Sequence, residues 1–175
     1  MVSWAFTCLI VTSDHGELLE RGISGHNTPV LYEPLIHIPL IISYPGQTAR
    51  SDIYNPTHSV DLVPTILDLS GAQQPANLEG LSLPTSNSAD KTSRDLFVIE
   101  AKSSPKQGPL HQGTFSLVRQ ELKIIYYHGY EGYDEVYEVF DLINDPEEIQ
   151  NIYSPKDKTS LALKDALLEK ITPYL

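Results

Sequence analysis

Residues 6–17 read FTCLIVTSDHGE, a continuous apolar and β-branched run from Phe6 to Thr12 that stops at Ser13-Asp14-His15-Gly16-Glu17. A run with no polar alternation reads as a strand buried on both faces, the pattern of parallel sheets. Working outward, Glu17 to Arg21 predicts a short helix after the turn, and Ile38 to Ser43 (IPLIIS), closed by Tyr44-Pro45-Gly46, is a second strand of the same character. Ser59 to Ser70 carries apolar residues at helical spacing, with Pro64 placed to begin a helix and Gly71 placed to end it. Ala72 to Ser93, rich in Pro, Ser, Asn and Gln, reads as a loop. Leu96 to Ala101 (LFVIEA) is a third short apolar run.

Beyond Gly108 the pattern changes from continuous to alternating. Thr114 to Arg119, Lys123 to His128 and Val136 to Leu142 read as an antiparallel meander with one wet face, turned at Gln120-Glu121 and at the Gly129 to Glu135 loop. Asn144-Asp145-Pro146-Glu147-Glu148 is a turn, and Leu161 to Ile171 is an amphipathic helix laid on the meander. The expected fold is α/β: residues 1–107 with buried, mostly parallel strands, then residues 108–175 as a small antiparallel sheet subdomain packed by a C-terminal helix.

Composition narrows the function. A net charge of −11, from 12 basic against 23 acidic residues, disfavours a general grip on nucleic acid, which needs clustered Lys and Arg. The single Cys8 excludes a disulfide scaffold. No stretch reaches the roughly 20 apolar residues that span a bilayer. Val2 to Val11 lacks the basic flank and cleavage pattern of a signal and reads as a strand.

Chemistry concentrates at Asp14-His15. On a regular strand their side chains would point to opposite faces, and Gly16 permits the turn that lets them share one ion. A carboxylate beside an imidazole suits a divalent cation. The alternative is that Asp14 caps a helix starting at Gly16, with Glu17 completing a capping box. His26 lies in a patternless loop, where functional residues concentrate. His37, His58, His111 and His128 read as structural, and so do the tyrosines of the meander. There is no His-Glu-x-x-His, no paired cysteine for zinc, no Gly-x-Ser-x-Gly and no glycine-rich phosphate loop.

The ordered blocks TSDHGE (12–17), Gly25-His26, Leu31-Tyr32-Glu33-Pro34, IPLII (38–42) with Pro45-Gly46, SVDLVPTIL (59–67) with Gly71, Glu79-Gly80, Val139-Phe140-Asp141-Leu142, and Asn144-Asp145-Pro146-Glu147-Glu148 with Asn151 resemble the carboxyl-terminal half of the sulfatases, in the alkaline phosphatase superfamily. The resemblance implies a partial alkaline-phosphatase-like sandwich and hydrolysis of sulfate esters. It implies Asp14 and His15 as metal ligands, for Ca2+ first and for Mn2+, Mg2+ or Zn2+ otherwise, and His26 as the residue that contacts the anionic ester group. A sulfated small molecule or glycan is the implied partner. The family's formylglycine motif, Cys/Ser-x-Pro-x-Arg, is absent: Cys8 is followed by Leu9-Ile10, and Ser103 has Gln107 where Arg belongs. The amino-terminal acidic ligands are absent as well. The chain is therefore expected to be a fragment without turnover of its own, prone to oligomerise through uncovered strand edges. A phosphonate or phosphate ester hydrolase, a phosphoethanolamine transferase of the same superfamily, and a non-catalytic binding module stay open as alternatives.

Overall fold

The computed structural model describes residues 6–83, 94–103, 108–132 and 136–175. The expected strand residues before Phe6 and the end of the Ala72 to Ser93 loop lie outside them. The chain forms two compact units, Met1–Gln47 with Phe97–Leu175, and Thr48–Leu96.

In the first unit, β1 (Leu9–Thr12) pairs with β2 (Leu40–Ser43) in the register Leu9 to Ser43 and Thr12 to Leu40. The pairing is antiparallel, which corrects the parallel arrangement expected for these two runs. Parallel neighbours need a long crossover, usually helical. Residues 13–39 supply only a hairpin and the one-turn helix α1 (Glu33–Ile36), and the chain returns in the opposite sense. Burial differs too: on one face Val11 and Ile41 are 47% and 63% exposed.

The larger sheet runs in the order β3 (Leu96–Ser103), β4 (Gln112–Arg119), β5 (Leu122–His128), β6 (Tyr137–Asp141). β4 to β5 and β5 to β6 are antiparallel, with Arg119 opposite Leu122 across a two-residue turn in which Gln120 takes φ +57°. Phe115, Leu117, Ile124, Tyr137 and Val139 project from one face onto Leu163, Leu167 and Ile171 of α3 (Lys158–Ile171). The Asp157 carboxylate caps α3 by accepting the Ser160 N–H at 2.8 Å.

The opposite face was expected to be wet and is dry. Thr114, Ser116 and Lys123 have no exposed surface, and Ile125, Tyr127 and Phe140 pack with Leu18, Val30 and Leu35. Of the polar groups there, Lys123 and the Tyr127 hydroxyl meet charged partners brought by other segments. Lys123 Nζ lies 2.8 Å from Glu148 and 3.0 Å from Glu33. Tyr127 donates its hydroxyl to Glu138 at 2.7 Å, and Tyr32 also points its hydroxyl at that carboxylate. Burial, then the charge of Glu138, pushes the Tyr127 hydroxyl far above the ordinary tyrosine range, and burial raises Tyr32 as well. Both therefore remain donors.

The turn after β6 is built from side-chain acceptors. Asp141 Oδ1 accepts the N–H groups of Ile143 and Asn144, and Asp145 accepts those of Ile149 and Gln150. Asn151 Oδ1 accepts from Val139 and Tyr153 while its amide donates to Tyr137 O. These bonds set Glu148, with φ +52°, beneath Lys123.

The second unit is organised by one buried carboxylate. Asp61 closes the 3-10 turn Ser59–Asp61 through the His58 N–H, accepts the Leu81 N–H at 2.9 Å and pairs with Arg94. Helix α2 (Leu62–Ser70) follows and ends at Gly71, with φ +68°. Gly80 fits because a Cβ there would lie 2.1 Å from Val60 O.

Truncating Glu148 leaves a buried ammonium with one carboxylate. Glu148→Ala is expected to lower the unfolding free energy by roughly 3–5 kcal/mol in urea titration. The double variant Lys123→Met, Glu148→Leu should recover much of that loss, since no lone buried charge remains where the pair stood.

Candidate functional site

The carboxyl end of β1 turns within four residues. Ser13 Oγ donates to His15 O at 2.5 Å, and the Asp14 carboxylate accepts the His15 N–H at 3.0 Å. Gly16 presses against the start of α1: its N–H donates to Leu35 O at 2.8 Å, and a Cβ there would sit 2.0 Å from Pro34 O. The turn brings Asp14 and His15 to one side despite their adjacency, with His15 Nε2 3.7 Å from Asp14 Oδ2. The His15 backbone N–H, and secondarily the imidazole, hold the exposed Asp14 carboxyl below the usual carboxylate range, so it stays ionised.

No helix follows. The segment expected as helix Glu17 to Arg21 is one arm of a hairpin, closed by reciprocal bonds between Leu18 and Gly25. The tip, Glu20 to Ile23, has positive φ at both central residues, Arg21 (+54°) and Gly22 (+72°), as type I′ turns require. Arg21 holds that unusual conformation because its guanidinium is tied down elsewhere. It donates to the carbonyls of Glu147 and Glu148 and lies 4.5 Å over the Tyr32 ring. Leu18, fully buried in the core, anchors the other side. Tertiary anchorage thus overrides the local helical pattern and removes the capping role considered for Asp14.

The hairpin register places residues 17 and 26 opposite each other, one step beyond the Leu18–Gly25 pair. His26 Nδ1 lies 3.0 Å from Glu17 Oε2, and the His26 ring is 4.2 Å from that of His15, tilted by 35°. The structure therefore gathers all three residues singled out in the sequence, Asp14, His15 and His26. It adds Glu17, which sequence reasoning assigned to a helix start. The signal for it was Arg21-Gly22, a turn pair midway between Glu17 and His26. His15, Glu17 and His26 each place a donor atom within 4.8 Å of the others. Three of the other histidines are occupied locally: His37 pairs with Glu33 at 3.1 Å, His58 caps a turn, and His128 packs beside Tyr126.

The donor set fits a divalent cation. Asp14 supplies an ionised carboxylate, and His15 bonds its Nδ1 to Gly16 O at 2.8 Å, which fixes Nδ1–H and leaves the Nε2 lone pair free. Carboxylate with imidazole is the chemistry of manganese and zinc sites, whereas calcium takes oxygen donors throughout.

Residues 26–173 match the family model for the carboxyl-terminal part of N-sulphoglucosamine sulphohydrolase. Arylsulfatase K of Canis lupus familiaris is 32% identical over 96% of the chain, which covers 31% of that protein. The N-acetylglucosamine-6-O-sulfatase of Bacteroides thetaiotaomicron is 33% identical over 84% of the chain and 26% of its own length. The chain thus spans about a third of the length of the curated relatives it matches. Among solved structures, one bound to its substrate D-glucosamine-2-N,6-O-disulfate superposes over 95% of this chain and 34% of its own, with TM-score 0.74 and 26% identity. A 2-O glycosaminoglycan sulfatase shares the fold at TM-score 0.72 and 24% identity, over 95% of this chain and 36% of its own. The expected α/β fold class, followed by an antiparallel sheet and a C-terminal helix, holds.

Gly16→Ala is expected to cost roughly 1–3 kcal/mol, as overpacked sites do, and to move the His15 amide resonance. Urea unfolding and an amide correlation spectrum check both. An unchanged His15 amide would show that the Gly16–Pro34 approach does not set the turn.

Proposed function

The chain belongs to the sulfatase family, and from that premise we propose that residues 13–26 hold a divalent cation and meet the sulfate group of a sulfated sugar. The observation that carries this reading is the convergence of Asp14, His15 and His26 on one surface, from a turn and a hairpin that share no local pattern. The glucosamine-derived names and ligand of the relatives support a sulfated glucosamine as the substrate class.

Each residue has a distinct task. Asp14 and His15 hold the cation, and the carboxylate–imidazole donor set favours manganese or zinc over calcium. When bound, the cation would place positive charge against the ester oxygens as charge grows there. His26 presents Nε2 to an oxygen of the ester group, as a hydrogen-bond donor once protonated. The 175 residues contain no Cys/Ser-x-Pro-x-Arg, so no bond-breaking step is assigned to them. Among the described residues no helix is long and apolar enough to cross a membrane.

Binding tests the reading directly. In the presence of Zn2+, glucosamine 6-sulfate is expected to shift the His26 ring resonances while glucosamine does not. His26→Ala should weaken the interaction by about tenfold or more, the worth of one hydrogen bond to a charged group. Asp14→Ala should remove the dependence on Zn2+. Equal responses to glucosamine and its sulfate would overturn the proposal, and a response to glucosamine 6-phosphate with none to the sulfate would shift it to a phosphate ester.

A further inference from the structure

We infer that Glu17 is a positioning residue that fixes the His26 ring with Nε2 as its working nitrogen. The inference rests on His26 being the side chain that meets the ester group. It starts from backbone geometry. The Leu18–Gly25 pair, bonded at 2.8 Å in one direction and 3.4 Å in the other, is an antiparallel step, and its next pair is Glu17 with His26. Side chains directly opposite on one face of such a ribbon meet.

The chemistry of the contact determines the tautomer. An ionised carboxylate only accepts, so the 3.0 Å contact to Glu17 Oε2 places a proton on His26 Nδ1. Nε2 then carries the lone pair in the neutral ring and the second N–H in the cation. Only the cation offers an Nε2–H to an ester oxygen, and there the donor is the nitrogen turned away from Glu17. His15 is set in the same sense by a different device, the Gly16 carbonyl at its Nδ1. One imidazole is thus oriented by backbone and the other by a side chain, with the rings 4.2 Å apart.

Two further observations separate orientation from stability. Glu17 and His26 side chains are about half exposed, at 46% and 47%, and exposed ion pairs add little to stability. Gly25 adopts φ +115°, and a Cβ built on it would stand 3.5 Å from Glu17 Oε1. The carboxylate thus lies beside Gly25, at a distance where a Cβ would make ordinary contact with it. An acid–imidazole pair that contributes little to folding still decides which nitrogen faces the site. For metal-ligating histidines, removal of such a partner typically costs 10–100-fold, which sets the scale expected here.

The test reads the tautomer by long-range 1H–15N correlation on the full chain, with histidine 15N-labelled and at a pH where the rings are neutral. Wild type is expected to show His26 predominantly as Nδ1–H. Glu17→Gln and Glu17→Ala should shift the neutral ring toward Nε2–H while leaving the amide spectrum of the sheet unchanged, and, at a pH where His26 is protonated, should weaken glucosamine 6-sulfate binding in Zn2+ about tenfold. A wild-type ring in the Nε2–H form, or the same tautomer in wild type and both variants, overturns the role of Glu17. The expected tautomers with no response of His26 to glucosamine 6-sulfate would keep Glu17 as the orienting group and overturn the substrate role of His26.

Discussion

The ammonium of Lys123 has no exposed surface and sits between the carboxylates of Glu33, at the start of α1, and Glu148, in the turn after β6. Taking those charges out of water costs several kcal/mol per ion, so the arrangement persists only where the partners arrive in register. Glu148 also accepts the Glu33 N–H at 2.6 Å, which satisfies the first turn of α1. Burial raises the Glu148 carboxyl and the Lys123 charge counters it, and the geometry favours the ionised pair because Lys123 has no water to turn to. The network demands that α1, β5 and the turn meet at one point. A hydrophobic contact would tolerate sliding by an ångström, whereas a buried charge does not.

That demand reaches the exposed site through short links. The carbonyls of Glu147 and Glu148 are held by Arg21, so the buried turn carries the tip of the hairpin whose arms present Glu17 and His26. On the other side, Leu35 and Pro34 of α1 receive Gly16, which turns Asp14 and His15 outward. Both halves of the site are thus anchored within a few residues of the Lys123 network. Exposed groups need such support, because their own contacts with water do nothing to fix their geometry.

How far the sequence foretold this follows from how local each signal is. The strands over 112–119, 122–128 and 137–141, the helix ending at Gly71 and the terminal helix were legible to within a few residues, since alternation, glycine stops and helical spacing are written in neighbouring positions. The dry polar face was not. Thr114, Ser116, Lys123 and Glu138 alternate as a solvated face would, and only Glu33, Tyr32 and Glu148, distant in sequence, reveal that they are covered. The antiparallel return of β2 was equally hidden, because an apolar run states burial and not direction. Asp14, His15 and His26 were legible as residues. Their convergence was not, because it depends on a hairpin whose tip places an arginine in a left-handed conformation and whose stability comes from tertiary bonds.

Charge completes the logic of the site. A chain of net charge −11 repels an anion at long range, so attraction has to be built locally. The two carboxylates closest to the site would seem to worsen that problem. Glu17 is directed onto His26 Nδ1, and Asp14 is held by the His15 backbone N–H and faces the His15 ring. Glu17 is turned toward the His26 imidazole, while Asp14 faces both the His15 ring and solvent. Glu17 in that position leaves the far nitrogen of His26 for the proposed ester contact, and in the same proposal a cation between Asp14 and His15 would reverse the local sign altogether. In the proposed site Glu17 thus holds a nitrogen donor and Asp14 a cation, so the same residues that make the surface negative on average would serve the capture of an anion there.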